Sequence, residues 1–192
     1  MTRIGFIRHG STAWNKEKRA QGNSNIPLDE EGQLQARKLA ERMSQEKWDV
    51  IYSSDLLRAR RTAEIIGEKM QHLPIHFDER LREVSGGQIE GTTESERISK
   101  WGSSWRELDL GIEKVDSVIK RGRPLIEEII TEHHSKNILI VTHGGFIQCL
   151  LSDLVPKLNQ EQSLKNTSLT KIFRSENEWE CELFNCAIHL NE

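Results

Sequence analysis

The stretch that decides the fold is residues 4–15, which read IGFIRHGSTAWN. Its first four residues form a short apolar run that ends in polar residues, as a buried strand does. Arg8 and His9 come next, and a later apolar run over residues 138–141 is followed by Thr142 and a second histidine, His143. Because parallel strands end at the same edge of a sheet, we expect the two histidines to face one another.

The rest of the chain alternates the patterns of strands and helices. Further strands are predicted over residues 50–52, 75–77, 169–173 and 179–183. Helices are predicted after the cap Asp29, after capping side chains at residues 53–55 as far as Met70, over residues 115–130 and from Gly144. This alternation predicts an α/β fold, in which a mostly parallel sheet has helices on both faces and active residues at the carboxyl ends of its strands.

Some stretches depart from this alternation. Residues 85–112 have no continuous period and contain several glycines, which predicts an irregular insertion with short helical pieces. Pro124 should kink or interrupt the helix over residues 115–130. Residues 175–177 predict a polar turn between the last two strands. Since no linker or repeat occurs, we expect residues 1–192 to form a single domain that carries the insertion.

The composition is that of an ordinary globular chain, with 35% hydrophobic and 30% charged residues among 192. A net charge of −3, with both signs mixed along the chain, gives no reason to expect nucleic acid or a membrane as partner. No signal-peptide core and no apolar run of the roughly 20 residues that span a bilayer occurs, so we expect a cytoplasmic protein. Its cysteines are expected to be buried free thiols: Cys149, Cys181 and Cys186. The sequence predicts no oligomeric state.

Basic and histidine side chains converge on one sheet edge in this scheme. Arg8 and His9 follow the first strand, His143 follows a later one, and Arg58 lies in the first turn of a helix that leaves a third. Arginine forks bind phosphate oxygens, helix N-terminal amides add donors, and a neutral imidazole can attack phosphorus. These groups therefore fit a phosphate pocket that contains a histidine nucleophile. A histidine after a strand is more often a loop residue or a satisfied hydrogen-bonding group, and the local motifs alone leave both interpretations open.

Other groups complete this pocket. Residues 10–12, Gly-Ser-Thr, can supply backbone and hydroxyl donors, and Glu83 or Glu90 can protonate the leaving oxygen. Neither a GxxxxGK[ST] loop nor a metal-spaced cluster such as HExxH is present, so we expect no P-loop nucleotide site, no metal and no cofactor.

Several prominent residues have simpler explanations. Arg60 and Arg61 fit a solvated helix face, and Trp101 and Trp105, one helical turn apart, are more often core or cover residues than substrate contacts. The remaining histidines lack a supporting motif and are interpreted as surface or structural residues: His72, His76, His133, His134 and His189.

An ordered series of motifs resembles the histidine phosphatase superfamily, the phosphoglycerate mutase-like group. In chain order the series contains residues 7–15 (IRHGSTAWN), Gln21-Gly22 with Pro27-Leu28 and Gly32, residues 53–63 (SSDLLRARRTA), Leu81-Arg82-Glu83 with Gly87 and Glu90-Gly91, and residues 141–145 (VTHGG). An RHG tripeptide alone is a weak signal, but the whole series in this order is highly specific.

The resemblance implies a three-layer α/β sandwich and a reaction that needs no metal. It assigns His9 as the phosphorylated nucleophile and Glu83 as the proton donor, which later activates water. We also expect a protonated His143, since a cation would neutralise phosphoryl oxygens. The predicted phosphate and substrate contacts are Arg8, Ser11, Asn15, Gln21, Gly22, Arg58, His143 and Gly144.

The insertion departs from the family pattern. Gly86 and Ile89 stand where the family commonly has aromatic residues, and the segment after Gly91 is short and distinctive. Because substrate choice in this family depends on this insertion, the substrate itself is not predicted. At 192 residues the chain is similar to the small phosphatases of the family, so hydrolysis of a small phosphorylated metabolite is the leading hypothesis.

Two alternatives stay open. A 2,3-bisphosphoglycerate-dependent phosphoglycerate mutase would share the His9 chemistry and hold its acceptor with cations such as Arg97, Lys100 and Arg106. A regulatory module that binds a phospho-ligand without turnover would be expected to lose a catalytic group, whereas the set is intact here.

Overall fold

One mixed sheet runs through the described part of the protein, residues 1–71, 73–175 and 178–191 of a computed structural model. Its strands are β1 (Arg3–Arg8), β2 (Val50–Ser53), β3 (Ile75–Phe77), β4 (Asn137–Thr142), β5 (Leu169–Ser175) and β6 (Glu178–Cys186). They lie in the order β3-β2-β4-β1-β5-β6. The four strands from β3 to β1 are parallel, whereas β5 and β6 are antiparallel to their neighbours. Each predicted strand is present, and the parallel part of the sheet carries the edge with the histidines.

Helices cover both faces of the sheet. They are α1 (Ala13–Lys16), α2 (Glu30–Met43), α3 (Leu57–Lys69), α4 (Glu94–Trp101), α5 (Val115–Glu132) and α6 (Gly144–Leu154). Alternate residues of the central strand β4 enter two separate cores: Leu139 and Val141 pack with α2 and α3, while Ile138 and Ile140 pack with α5 and α6. This arrangement is a three-layer α/β sandwich, as predicted.

The start of α3 differs from the prediction. Its N-cap residue is Leu56, whose own side chain forms no capping hydrogen bond. Instead, the Leu56 N–H donates to Ser54 Oγ at 3.3 Å and the following N–H donates to Asn25 Oδ1 at 2.7 Å. The prediction that residues 53–55 cap this helix with their side chains is therefore wrong in part, because Asp55 is engaged by an arginine further along the chain.

The helix that contains Pro124 is continuous, so the predicted interruption is wrong, while the alternative, a kink, stays a prediction. Helix α5 runs from Val115 to Glu132 with Pro124 inside it. Buried apolar residues on both sides of the proline, Val118 and Ile126 among them, pack in the larger core beside α6. This packing offsets the hydrogen bond that a proline removes.

The remaining predictions concern single residues and segments. The cysteines are free but half-buried, not buried, since Cys149 and Cys181 pack at the periphery of the larger core. None of the helices in the described ranges has the length and apolarity that crossing a bilayer requires. His72 and residues 176 and 177 of the predicted turn lie outside the described residues.

Candidate active site

The two predicted histidines meet at the carboxyl ends of β1 and β4. These strands pair in parallel with Arg8 opposite Thr142, so His9 and His143 leave the sheet side by side. Their ring centroids are 5.2 Å apart, and the residues are 2% and 0% exposed. The expected convergence of two distant motifs is present, and it follows from the register of neighbouring strands.

His9 has the protonation state of a nucleophile. Its Nδ1 lies 2.7 Å from the Gly10 carbonyl oxygen, which only accepts, so Nδ1 carries the proton. Its Nε2 accepts from Arg58 Nε at 3.3 Å. Burial, and then repulsion from Arg58 and Arg8, lowers the pKa of His9 well below its ordinary value. The ring is therefore neutral near pH 7, and Nε2 keeps its lone pair.

Arg58 reaches His9 from the first turn of α3 and is 0% exposed. Its Nη1 and Nη2 donate to the carbonyl oxygens of Ser24 and Gly22, each at 2.7 Å. Burial lowers the pKa of Arg58 to about 10, and two nearby carboxylates oppose the shift. The guanidinium therefore keeps its positive charge near pH 7 and places it beside the nucleophile.

The surroundings of His143 favour its neutral form, and the cation that was predicted to neutralise phosphoryl oxygens stays a prediction. Burial, and then repulsion from Arg58, lowers the pKa of His143 well below its ordinary value. Its Nε2 lies 2.8 Å from Ser54 Oγ. Its Nδ1 is buried and has no hydrogen-bond partner among the described residues. A neutral ring still carries one N–H, so His143 can donate a hydrogen bond to an oxygen without being a cation.

Arg8 leaves a second buried nitrogen without a partner. Its Nη1 donates to the Leu164 carbonyl oxygen, while its Nε has no partner within the described ranges. A Cβ on Gly144 would lie 3.3 Å from that Nε, so the glycine lets the guanidinium lie close to the start of α6. Buried polar groups rarely stay unpaired. The unpaired nitrogens of Arg8 and His143 therefore mark a place where an anion with oxygen acceptors fits.

Glu83 lies at the N-terminus of α6, next to these groups. Its Oε1 accepts from Phe146 N and Val84 N, both at 2.8 Å, and its Oε2 accepts from Gly145 N at 3.1 Å. These backbone N–H groups fix the position of the carboxyl group at the start of the helix. Oε2 has a single hydrogen bond among the described residues, which leaves room for the proton of a general acid.

Arg121 holds the segment that carries Glu83, a role that no sequence motif indicates. Its guanidinium donates to the carbonyl oxygens of Arg80, Arg82 and Glu83 at 2.7–3.1 Å. It also forms two hydrogen bonds with Glu113, at 2.8 and 2.9 Å. Such contacts depend on which surfaces meet in the fold, and no local spacing announces them.

Glu90, the other candidate proton donor, lies between two loops. Its Oε1 accepts from Asn23 N and Gly86 N, both at 2.9 Å, and its Oε2 accepts from Ser24 Oγ at 2.6 Å. Gly22 adjoins this carboxylate with φ +49°, and a Cβ there would come within 2.1 Å of Oε1. Only glycine fits this position, because any side chain would displace the carboxylate.

The other predicted contact residues have local roles that the structure makes visible. Ser11 donates its hydroxyl to Asp29 Oδ2 at 3.1 Å, at the start of α2. Asn15 caps α1 together with Thr12, and its Oδ1 accepts from the Thr12 N–H at 3.1 Å. Gln21 has a buried Oε1 without a partner in the described part of the chain. The phosphate contacts assigned to Ser11, Asn15 and Gln21 stay predictions.

The insertion over residues 85–112, called the cap segment below, contains α4 and short 3-10 turns at Gly87–Ile89 and Trp105–Glu107. It joins the loop after α1 through hydrogen bonds from Ala20 N to Thr92 O and from Gly91 N to Ala20 O. The tryptophans do not share a helix, because Trp101 ends α4 and Trp105 follows a turn at Gly102 with φ +83°.

The cations of the cap segment are engaged within it. The guanidinium groups of Arg97 and Arg106 lie over the ring of the buried Trp105, at 4.9 and 4.3 Å from its centroid. Arg106 and the Trp105 indole both donate to Glu94. Lys100 lies over the Trp101 ring at 4.4 Å. These side chains therefore hold the cap segment together.

Metal ligation finds no support in the side chains. Among the described residues, no group of three or more histidine, cysteine, aspartate or glutamate side chains could hold a metal ion. The arrangement that is present consists of a neutral imidazole, two guanidinium groups, a second imidazole and a carboxylate. Such a set can attack, neutralise and protonate a phosphate ester.

Comparison with known proteins agrees with this geometry. The chain is 34% identical to the uncharacterized phosphatase PhoE of Bacillus subtilis, over 100% of this chain and 98% of that protein. It is 33% identical to phosphoglycerate mutase-like protein 4 of Arabidopsis thaliana, over 98% and 87%. Its structure matches a mycobacterial glucosyl-3-phosphoglycerate phosphatase in complex with VO3 with a TM-score of 0.86 and 30% identity, over 96% of this chain and 99% of that one.

The family assignment rests on a match along nearly the whole chain. The model of the histidine phosphatase superfamily (branch 1) matches residues 4–187, which include every member of the arrangement at the sheet edge. The protein therefore belongs to the histidine phosphatase superfamily.

Proposed function

We propose that this protein is a phosphomonoesterase that hydrolyses a small phosphorylated metabolite through a phosphohistidine at His9. The observation that carries the proposal is the state of the His9 ring. Its proton is fixed on Nδ1 by the Gly10 carbonyl oxygen, and its Nε2 lone pair lies among Arg58, Arg8 and His143. A neutral nucleophile among positive charges and hydrogen-bond donors is the arrangement that phosphoryl transfer requires.

The first half of the reaction forms the phosphoenzyme. As the phosphoryl group arrives, the Arg58 Nε–H shifts from His9 Nε2 to a phosphoryl oxygen, which frees the lone pair for attack in line with the leaving oxygen. The unpaired Arg8 Nε and His143 Nδ1 donate hydrogen bonds to the other phosphoryl oxygens. The bond from Nε2 to phosphorus forms, the ester bond breaks, and a protonated Glu83 gives its proton to the leaving alkoxide.

The second half restores the enzyme. Glu83, now a carboxylate, takes a proton from a water molecule, and the hydroxide attacks phosphorus opposite Nε2. The N–P bond breaks, inorganic phosphate forms, and the lone pair returns to His9. The same residue therefore acts first as acid and then as base.

The cap segment favours hydrolysis over the mutase alternative. A mutase must retain a phosphorylated acceptor, for which Arg97, Lys100 and Arg106 are the candidate cations. All three are engaged with tryptophan rings, and Arg106 also pairs with Glu94. Their charge is thus used in the cap segment itself. The regulatory-module alternative has no observation in its favour, because the sequence retains every group that the proposed reaction uses.

We also propose that the whole chain acts as one domain with the cap segment over its active site. Nucleic acid and membranes stay outside the proposal as partners, in keeping with the mixed surface charge. The three free thiols suit a reducing compartment, so we assign the reaction to the cytoplasm.

The test is a comparison of two activities in one preparation. Purified protein is assayed for release of inorganic phosphate from an aryl phosphate and a panel of small phosphate esters, and in parallel for interconversion of phosphoglycerates. We expect phosphate release that is lost in His9→Ala and retained after dialysis against EDTA. Interconversion without release would favour the mutase, phosphate binding without either activity would favour the regulatory module, and activity restored only by added metal would contradict the metal-free mechanism.

A further inference from the structure

Arg58 depends on a short loop for its position. Residues 22–24 supply both carbonyl oxygens that accept from its Nη1 and Nη2, at 2.7 Å each. With these contacts in place, the Nε–H of the guanidinium points at His9 Nε2 at 3.3 Å. Any movement of the loop therefore changes the direction of the N–H that reaches the nucleophile.

Glu90 holds that loop. Its carboxylate accepts from the Asn23 N–H at 2.9 Å and from the Ser24 hydroxyl at 2.6 Å, which are both in the loop. It accepts as well from the Gly86 N–H at 2.9 Å, next to the segment that carries Glu83. One carboxylate thus joins the loop behind Arg58 to the segment of the proton donor.

The contact between Glu90 and the loop is close. The Cβ that Gly22 lacks would lie within 2.1 Å of Glu90 Oε1, so the glycine conformation and the carboxylate position require one another. Hydrogen bonds to an ionised carboxylate are about twice as strong as neutral ones, which makes this a firm attachment.

Glu90 also supplies charge. Within the described residues Arg58 has no direct carboxylate partner, because its contacts are two carbonyl oxygens and an imidazole. The negative charges of Glu83 and Glu90 oppose the fall in the pKa of Arg58 that burial causes. Glu90 therefore stabilises the buried cation through space while it fixes its hydrogen-bond acceptors.

We propose that Glu90 is a positioning residue for Arg58: it orders residues 22–24 so that the guanidinium points its Nε–H at the His9 nucleophile and at the incoming phosphoryl group. This role rests on the proposed function and adds to it a residue whose effect passes through Arg58. The role of Glu90 also differs from that of Glu83, which acts directly on the leaving oxygen.

The test is a double-mutant cycle of Glu90→Gln with Arg58→Ala, assayed on an aryl phosphate that needs little acid assistance. Glu90→Gln keeps the shape of the side chain but removes its charge and places an NH2 group among N–H donors. We expect kcat to fall about 10- to 100-fold with a smaller change in KM, as for a misplaced catalytic group. In the Arg58→Ala background the same change should alter kcat less than about threefold, because coupled residues are not additive.

Controls make every result decisive. Glu107→Gln removes a charge from an exposed residue of the same cap segment and should leave kcat unchanged. If Glu90→Gln fails to fold, Ser24→Ala removes a single hydrogen bond to Glu90 and should give a smaller loss with the same lack of additivity. Full activity in Glu90→Gln, or equal losses with and without Arg58, would overturn the positioning role. Absence of phosphate release in the wild-type protein would instead refute the proposed function, and the affinity for inorganic phosphate, measured by calorimetry, would then decide whether Glu90 acts through Arg58.

Discussion

The sheet edge and the cap segment are held by different kinds of contact. The site consists of Arg8, His9, Arg58 and His143, which we call the cradle. His9, Arg58 and His143 are buried and Arg8 is partly buried. Several N–H groups of the cradle are fixed by backbone carbonyl oxygens, among them those of Gly10, Gly22 and Ser24. Because these hydrogen bonds lie away from water, each one fixes the direction of its N–H group.

The cap segment depends mainly on side chains at the surface. Arg19 pairs with Glu96, Arg106 pairs with Glu94, and the carboxylates in both pairs are nearly half exposed. Surface ion pairs contribute little to stability and are screened by salt. Apart from Glu90, which orders the loop behind Arg58, the cap segment can therefore change without cost to the proposed chemistry. We propose that the cradle performs the reaction while the outer part of the cap segment selects the substrate.

The largest expected effect is in the cradle. Arg58→Ala should lower kcat by about 100-fold or more, because it removes a buried charge that faces the developing phosphoryl charge. Arg60→Ala is the matched control, since Arg60 lies on the same helix and pairs with Glu64 at the surface. Steady-state kinetics with melting curves measure both, and equal losses in the two variants would contradict the role of the cradle.

The next effect depends on the leaving group. Glu83→Gln should slow hydrolysis of alkyl phosphates by about 100-fold or more, because a poor leaving group needs its proton. The loss should be much smaller for p-nitrophenyl phosphate, whose phenolate leaves without one. The measurement is the ratio of the two kcat/KM values in the variant and in the wild type, because kcat/KM covers the steps up to the phosphoenzyme and leaves out the later water attack, in which Glu83 acts on both substrates alike. A uniform loss on both substrates would show that Glu83 is not the proton donor.

Whether a structural feature could be predicted from the sequence depends on whether its contacts are local. The strands around His9 and His143 were predictable because apolar runs lead directly into each motif, and the cap at Asp29 because a side chain acts on its own helix. The continuity of the helix through Pro124 was not, since it depends on packing against another helix. The contacts of Arg121 and Glu90 were not predictable either, because their partners lie in segments that no sequence spacing connects.

Acid should weaken the cradle before it affects the cap segment. The pKa values of His9 and His143 are lowered by burial, so the folded protein disfavours their charged forms while the unfolded chain takes up protons at the ordinary pKa of 6.5. Their contribution to stability is complete above about pH 6.5 and is lost as the pH falls, by at most about 1.4 kcal/mol per pH unit for each group. Denaturant unfolding at pH 7 and pH 5 measures the difference. His143→Asn should reduce the pH dependence, and an unchanged slope in that variant would refute the assignment.

The smallest effect on chemistry belongs to α4 and the turn that follows it in the cap segment. Trp101→Ala and Arg106→Ala should change the order of preference among three phosphate esters of different size by a few-fold, while hydrolysis of the smallest ester stays near the wild-type rate. Trp105→Ala serves as the comparison for packing, because this residue is buried and its loss should lower the melting temperature. An unchanged order of preference in all three variants would leave the cap segment without a role in selection.

The most direct test of the account is the chemical identity of the intermediate. A substrate that carries a labelled phosphoryl group is mixed with the enzyme, quenched during turnover and mapped by mass spectrometry after digestion at alkaline pH. The account predicts an acid-labile, alkali-stable label on His9, absent from His9→Ala and accumulated in a variant with slow water attack. Label on a serine or aspartate, or full turnover in His9→Ala, would contradict it.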